Sequence, residues 1–150
     1  MSLRDGKIKV GTVVYKAADV QVKGPSGSCF LAGKAIIELV TLEEGLIPTK
    51  HRRGNYLDWE DGYRKCRVPK AYVRKITKHI PRHIIIPDGW TVHVLARNNL
   101  EYIEGGIVVP DSFDTDPKNI CTNGIHVFLD RESAERWIGW DYTSLENWEP

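Results

Sequence analysis

Asn123-Gly124-Ile125-His126-Val127-Phe128-Leu129-Asp130-Arg131-Glu132-Ser133-Ala134-Glu135-Arg136-Trp137 packs a turn, a strand and a helix into one stretch. Asn123-Gly124 is a tight-turn pair, because glycine takes positive φ at little cost. The five residues that follow alternate. Ile125, Val127 and Leu129 share one face of a strand, and His126 and Phe128 share the other. Asp130 is then well placed as an N-cap, with Glu132 in the first helical turn. Ala134, Trp137 and Ile138 form an apolar stripe, and Gly139 suits the position after the last turn. A short helix over about 131–139 is the expectation, and it is the one clear helix in the chain.

Upstream, β-like runs separated by turn signals dominate. Thr12–Ala17 is the first, followed by a loop rich in Gly, Pro and Ser at 23–28. Lys34–Val40 is the second, with Ala35, Ile37 and Leu39 on one face. Residues 41–63 hold Gly45, Pro48, Gly54 and Gly62 without a clean period, which predicts a long irregular loop region. Lys65–Val68 and Ala71–Ile76 read as a strand pair or as one strand interrupted at Pro69. Trp90–Ala96, Ile107–Val109 and Ile125–Leu129 complete the set. Trp140, Tyr142, Leu145 and Trp148 predict a tail over 140–150 that docks on the domain. The fold class is therefore α+β, a single compact domain over 1–150 with a mostly antiparallel sheet.

With 150 residues, 41% hydrophobic and 27% charged, the chain is long enough to bury a sizeable core. No window approaches the roughly 18 apolar residues of a membrane span, and the first residues show no apolar leader. Three cysteines, an odd number at long spacings, read as free thiols in a reducing compartment. A cytoplasmic protein is the expectation. The net charge of +1 conceals a polarity: residues 50–83 hold eleven Lys/Arg against three acids, and residues 101–150 hold three against eleven. Such segments pair across one surface or present a polarised one. Tyr56, Trp59, Tyr63 and Tyr72 interleave with arginines, as nucleic-acid binding requires, but the acidic half opposes that reading. Lys65, Arg67, Arg74 and Lys75 alternate along strands and fit the solvated face of a sheet.

Several residues are candidates for chemistry. His126, on the face opposite Ile125 and Val127, either reaches a groove or hydrogen-bonds a loop carbonyl, tying the 110–121 loop to the sheet. The bonded anchor is the simpler expectation. Cys121 and His126, joined by Cys66 and either Cys29 or His51, would make a tetrahedral zinc set, but paired ligands at zinc spacing are missing and no metal is expected. Cys121 with His126 as base would make a nucleophilic pair only inside a cleft with a lowered thiol pKa. Arg67 joins the ligand-binding candidates from the basic segment.

Val108-Val109-Pro110-Asp111-Ser112-Phe113-Asp114, the loop to Cys121-Thr122-Asn123-Gly124-Ile125-His126-Val127-Phe128 and the helix after it resemble a domain of unknown function. That domain is common in giant DNA viruses, often beside pentapeptide-repeat proteins, and occurs in phages and some bacteria. Val14-Tyr15-Lys16-Ala17 resembles its opening strand, and Tyr63-Arg64-Lys65-Cys66-Arg67-Val68-Pro69-Lys70-Ala71 resembles its K-C-R-x-x-K-A segment. The resemblance implies a viral or phage origin, hence host cytoplasm or virion, and supplies no catalytic residues. The expected function is a non-catalytic interaction domain that binds a host or virion protein or itself, without a cofactor. The alternative rests on a looser similarity of Tyr15-Lys16 and the Gly124–Phe128 strand to ADP-ribosyltransferases. It implies an enzyme using NAD, with Tyr15, Lys16 and His126 lining a nicotinamide pocket.

Overall fold

Long alternating strands set the architecture. In the computed structural model, which describes residues 6–47, 65–96, 100–115, 123–137 and 148–149, ten strands form one sheet. They are β1 (Lys7–Ile8), β2 (Val13–Lys23), β3 (Cys29–Thr41), β4 (Gly45–Leu46), β5 (Lys65–Val68), β6 (Ala71–Pro81), β7 (Thr91–Leu95), β8 (Ile107–Val108), β9 (Ile125–Phe128) and β10 (Trp148–Glu149). The helix α1 spans Arg131–Trp137. The pairings are antiparallel, along the order β1-β4-β5-β9-β2-β3-β6-β10. β7 adds to the far end of β2, and β8 to the near end of β6. The α+β class follows directly from these elements.

β2 and β3 are longer than their apolar runs suggest. Asp19, Gln21 and Lys23 alternate with Val20 and Val22, so the strand continues with polar residues on one side and a buried apolar row on the other. β5 and β6 do not form the expected strand pair. Although only Pro69 and Lys70 separate them, β5 runs between β4 and β9 while β6 lies against β3. Gly45–Leu46 places a short strand inside the stretch read as irregular; residues 48–63 lie outside the described residues. Trp148–Glu149 pairs with Ile80–Pro81, and the rest of the tail lies outside them.

One face of the sheet carries the main core, with Val14, Val20, Ile37, Leu39, Val73 and Val127 fully buried there. The opposite face has a smaller cluster, in which Ile36 and Phe128 pack with Ala134 of α1 and with Tyr15 and Ala17. The Asp130 carboxylate accepts the Ser133 N–H at 2.7 Å, which is the N-cap the sequence implies. The indole of Trp137 lies 5.9 Å from the Phe128 ring and fixes the helix over β9. Among the described residues no helix is long and apolar enough to cross a membrane.

Candidate functional site

Strand register brings the motif residues together around Arg67. β5 and β9 pair so that Arg67 lies directly opposite His126, Cys66 opposite Val127 and Val68 opposite Ile125. Cys66, Val68, Ile125 and Val127 therefore point into the main core, and Arg67 and His126 share the opposite face. Arg67 is completely buried, which corrects its reading as part of a solvated face. Arg74 does fit that reading: it is exposed and meets Glu38 at 3.0 Å.

The covering layer over Arg67 is the segment after β8. The guanidinium donates from Nε and Nη2 to the Asp114 carbonyl, at 3.2 and 2.9 Å. Its central carbon lies 6.0 Å from the centroid of the Phe113 ring. The Asp114 N–H in turn donates to the Asn123 carbonyl at 3.0 Å. Gly124 closes the arrangement at φ 138°, where a β-carbon would stand 2.9 Å from Phe113 Cδ1 and 3.2 Å from Arg67 Cβ. Phe113-Asp114, Arg67 and Gly124 thus form one fastening that holds the loop onto the sheet. A bond from a cation to a carbonyl contributes about 1.5–3 kcal/mol, and losing it would strand a shielded carbonyl. The tie described between this loop and the sheet comes from Arg67.

His126 is half-buried beside this fastening, and its main-chain carbonyl accepts the Lys16 ammonium at 2.9 Å. Lys16 lies on the core side of β2 between Val14 and Ala18, with its ammonium 6.0 Å from the ring centroid of buried Tyr102. Tyr15 points the other way, opposite Phe128 and under α1. Adjacent residues in a strand face opposite sides of the sheet, so Tyr15 and Lys16 do not line a common pocket.

The thiols divide in the same way. Burial pushes the Cys66 thiol up to about 12, against the pull of the Arg67 charge, so it stays protonated and unreactive at neutral pH. It faces the core while His126 faces away from it, so the two do not meet at a metal. Cys29 is exposed at the start of β3, at the other end of the sheet. Cys121 and His51 lie outside the described residues. Among the described residues no group of three or more His, Cys, Asp or Glu side chains is placed to hold a metal ion.

Sequence reasoning did not find the Asp114 carbonyl or the ring of Tyr102 as partners. The Phe113-Asp114 pair belongs to the motif, but a backbone acceptor leaves no signal in side-chain identity. No curated protein and no solved structure matches the chain. The profile of DUF5758, a family of unknown function, matches residues 10–134, and the chain belongs to that family.

Proposed function

We propose that the chain is an interaction domain that binds a protein partner, or a second copy of itself, through the uncovered part of its helix-bearing face. The observation that carries this reading is an apolar row running straight across four strands. Val13, Val40, Tyr72 and Ile107 are successive cross-strand partners in β2, β3, β6 and β8. They stand on the side of the sheet that α1 covers only around Tyr15, Ala17, Ile36 and Phe128. Tyr72 is 38% exposed and Ile107 60%, and Val109, just past β8, is 56% exposed. An apolar row that spans adjacent strands and stays exposed at one end is a usual mark of a protein-binding surface.

The charge polarity of the chain adds steering to such a contact. Encoding by a virus or phage, with action in host cytoplasm or in the virion, belongs to this reading and rests on the motif resemblance. Size-exclusion chromatography with light scattering, together with affinity capture, tests it. The wild type should self-associate or retain a partner, and Ile107→Asp should abolish that while melting at an unchanged temperature. A strictly monomeric wild type that captures nothing would overturn the proposal.

A further inference from the structure

At the end of the sheet away from Arg67, three side chains form a linked series. Thr91 Oγ1 lies 2.7 Å from His93 Nε2, and His93 Nδ1 lies 2.9 Å from Glu101 Oε2. An ionised carboxylate only accepts, so in the neutral imidazole the tautomer that bonds Glu101 carries its proton on Nδ1, which leaves Nε2 to accept from the threonine hydroxyl. Thr91 Oγ1 also stands 3.4 Å from the Lys23 carbonyl, a longer and weaker alternative. This is the order and polarity of a hydroxyl–imidazole–carboxylate relay, recognised by geometry and not by position in the chain.

The surroundings suit acyl chemistry. Thr91 and His93 occupy alternate positions of β7, on the face away from the main core. Lys23 is the direct cross-strand neighbour of Thr91, and exposed Cys29 is the next residue in that row. The lysine places positive charge beside any oxyanion that forms at a carbonyl bound to Thr91. Leu31, 55% exposed, stands in the neighbouring row beyond Gln21 and offers an apolar contact for a short acyl chain. Val94 uses its carbonyl toward Tyr102, away from β2, so strand alternation turns the Val92 N–H to that same outer edge, next to the nucleophile.

We propose that Thr91, His93 and Glu101 form an acyl-transfer site for small carboxylic esters. This goes beyond binding and departs from the expectation of a non-catalytic domain. In the first half-reaction the Thr91 oxygen bonds to the ester carbonyl carbon and its proton passes to His93 Nε2. The ester C–O bond breaks, and the departing alkoxide takes that proton as an alcohol. In the second, water gives a proton to Nε2 and its oxygen to the acyl carbon. The threonine oxygen leaves and recovers the proton, so the acid is released with no change of oxidation state. Glu101 orients the imidazole and balances its transient charge.

The probe is 4-nitrophenyl acetate, with nitrophenolate release followed by absorbance and the acetylated residue located by peptide mass spectrometry. Background rates come from Cys29→Ser, because an exposed thiol also reacts with this ester. In that background Thr91 should carry the acetyl group. Thr91→Val, which keeps the β-branched shape favoured in strands, and His93→Gln should each slow release by about 100-fold, and Glu101→Gln by about 10-fold. Unchanged circular dichroism and melting temperature establish that the variants are folded; Glu101→Gln keeps the side-chain shape and serves if another variant is not. Equal rates for the parent and Thr91→Val, or an acetyl group found on Lys23 and not on Thr91, would overturn the proposal.

Discussion

Replacing Gly124 by alanine separates two costs that the fastening imposes. The backbone at φ 138° is one that an L residue rarely adopts, and holding it there costs about 1–3 kcal/mol. The added β-carbon would also stand 2.9 Å from Phe113 Cδ1 and 3.2 Å from Arg67 Cβ, which forces the ring or the sheet to give way. Overpacking of this kind adds about 1–3 kcal/mol. The sum, about 2–6 kcal/mol, corresponds to a fall in melting temperature of roughly 4–24 °C for a domain of this length. Gly27→Ala supplies the comparison, since φ is 84° there and nothing lies within 4 Å of the built β-carbon. It should cost about 1–2 kcal/mol from backbone strain alone. Adding Phe113→Ala to Gly124→Ala removes the closest clash and leaves the strain and the tight contact with Arg67 Cβ. The double variant should therefore be more stable than the sum of the singles by about 1–2 kcal/mol. Urea melts compare the wild type with Gly124→Ala, Gly27→Ala, Phe113→Ala and the double variant. Strict additivity, or equal costs at Gly124 and Gly27, would refute the claim that Gly124 is needed for the close approach of Phe113 and Arg67.

Arg67→Lys keeps the charge but loses the fork that engages the Asp114 carbonyl; it should cost about 1–3 kcal/mol in urea melts and speed proteolysis within 110–115. A wild-type result in both would mean that the guanidinium does not hold the loop. The folded protein keeps the Cys66 thiol protonated up to about 12, while the unfolded chain releases that proton from about 9, so stability should fall as pH rises above 9. Cys66→Val should flatten that decline, and an alkylating reagent at pH 8 should modify Cys29 and spare Cys66 in the native protein. His79 is held below its ordinary value by burial and then by the Arg131 charge, so the folded state resists its protonation. As pH falls below about 6.5 the unfolded chain gains a proton that the folded one resists, and stability should drop. His79→Gln should remove that acid limb, and a curve of unchanged slope would refute the assignment.

Local features were legible because they depend on local chemistry. Asp130 caps a helix because its carboxylate reaches an N–H three residues on, and Ile125 and Val127 face the core because a strand alternates. Pairing was less legible. Nothing in Val68-Pro69-Lys70-Ala71 says that the strands on either side go to different neighbours; β3 and β9 decide that from elsewhere in the chain. At the site, alternation marked Arg67 as a surface residue because lysines and arginines usually are. Its burial depends on a carbonyl 47 residues away, which no side-chain pattern encodes. The same limit hid the Thr91–His93–Glu101 series, since Thr91 and His93 look like the polar face of any strand until Glu101, bridged to Leu95, is placed beside them.

The division of labour within the sheet follows from where the charges end up. Around Arg67 the polar groups satisfy one another: a guanidinium meets a carbonyl, an ammonium meets another carbonyl, and a thiol is kept neutral. Groups engaged in this way cost free energy to disturb, which makes them good at fixing a loop and poor at exchanging partners with a ligand. The cluster around Arg67 thus marks an architectural joint. The proposed recognition and chemistry fall to surfaces where side chains remain accessible, namely the apolar row ending at Ile107 and the hydroxyl of Thr91. These two surfaces lie at opposite ends of β2, which carries Val13 in the one and Lys23 in the other. Ile107→Asp should therefore leave ester hydrolysis untouched, and Thr91→Val should leave association untouched, because sites this far apart with no shared partners contribute independently.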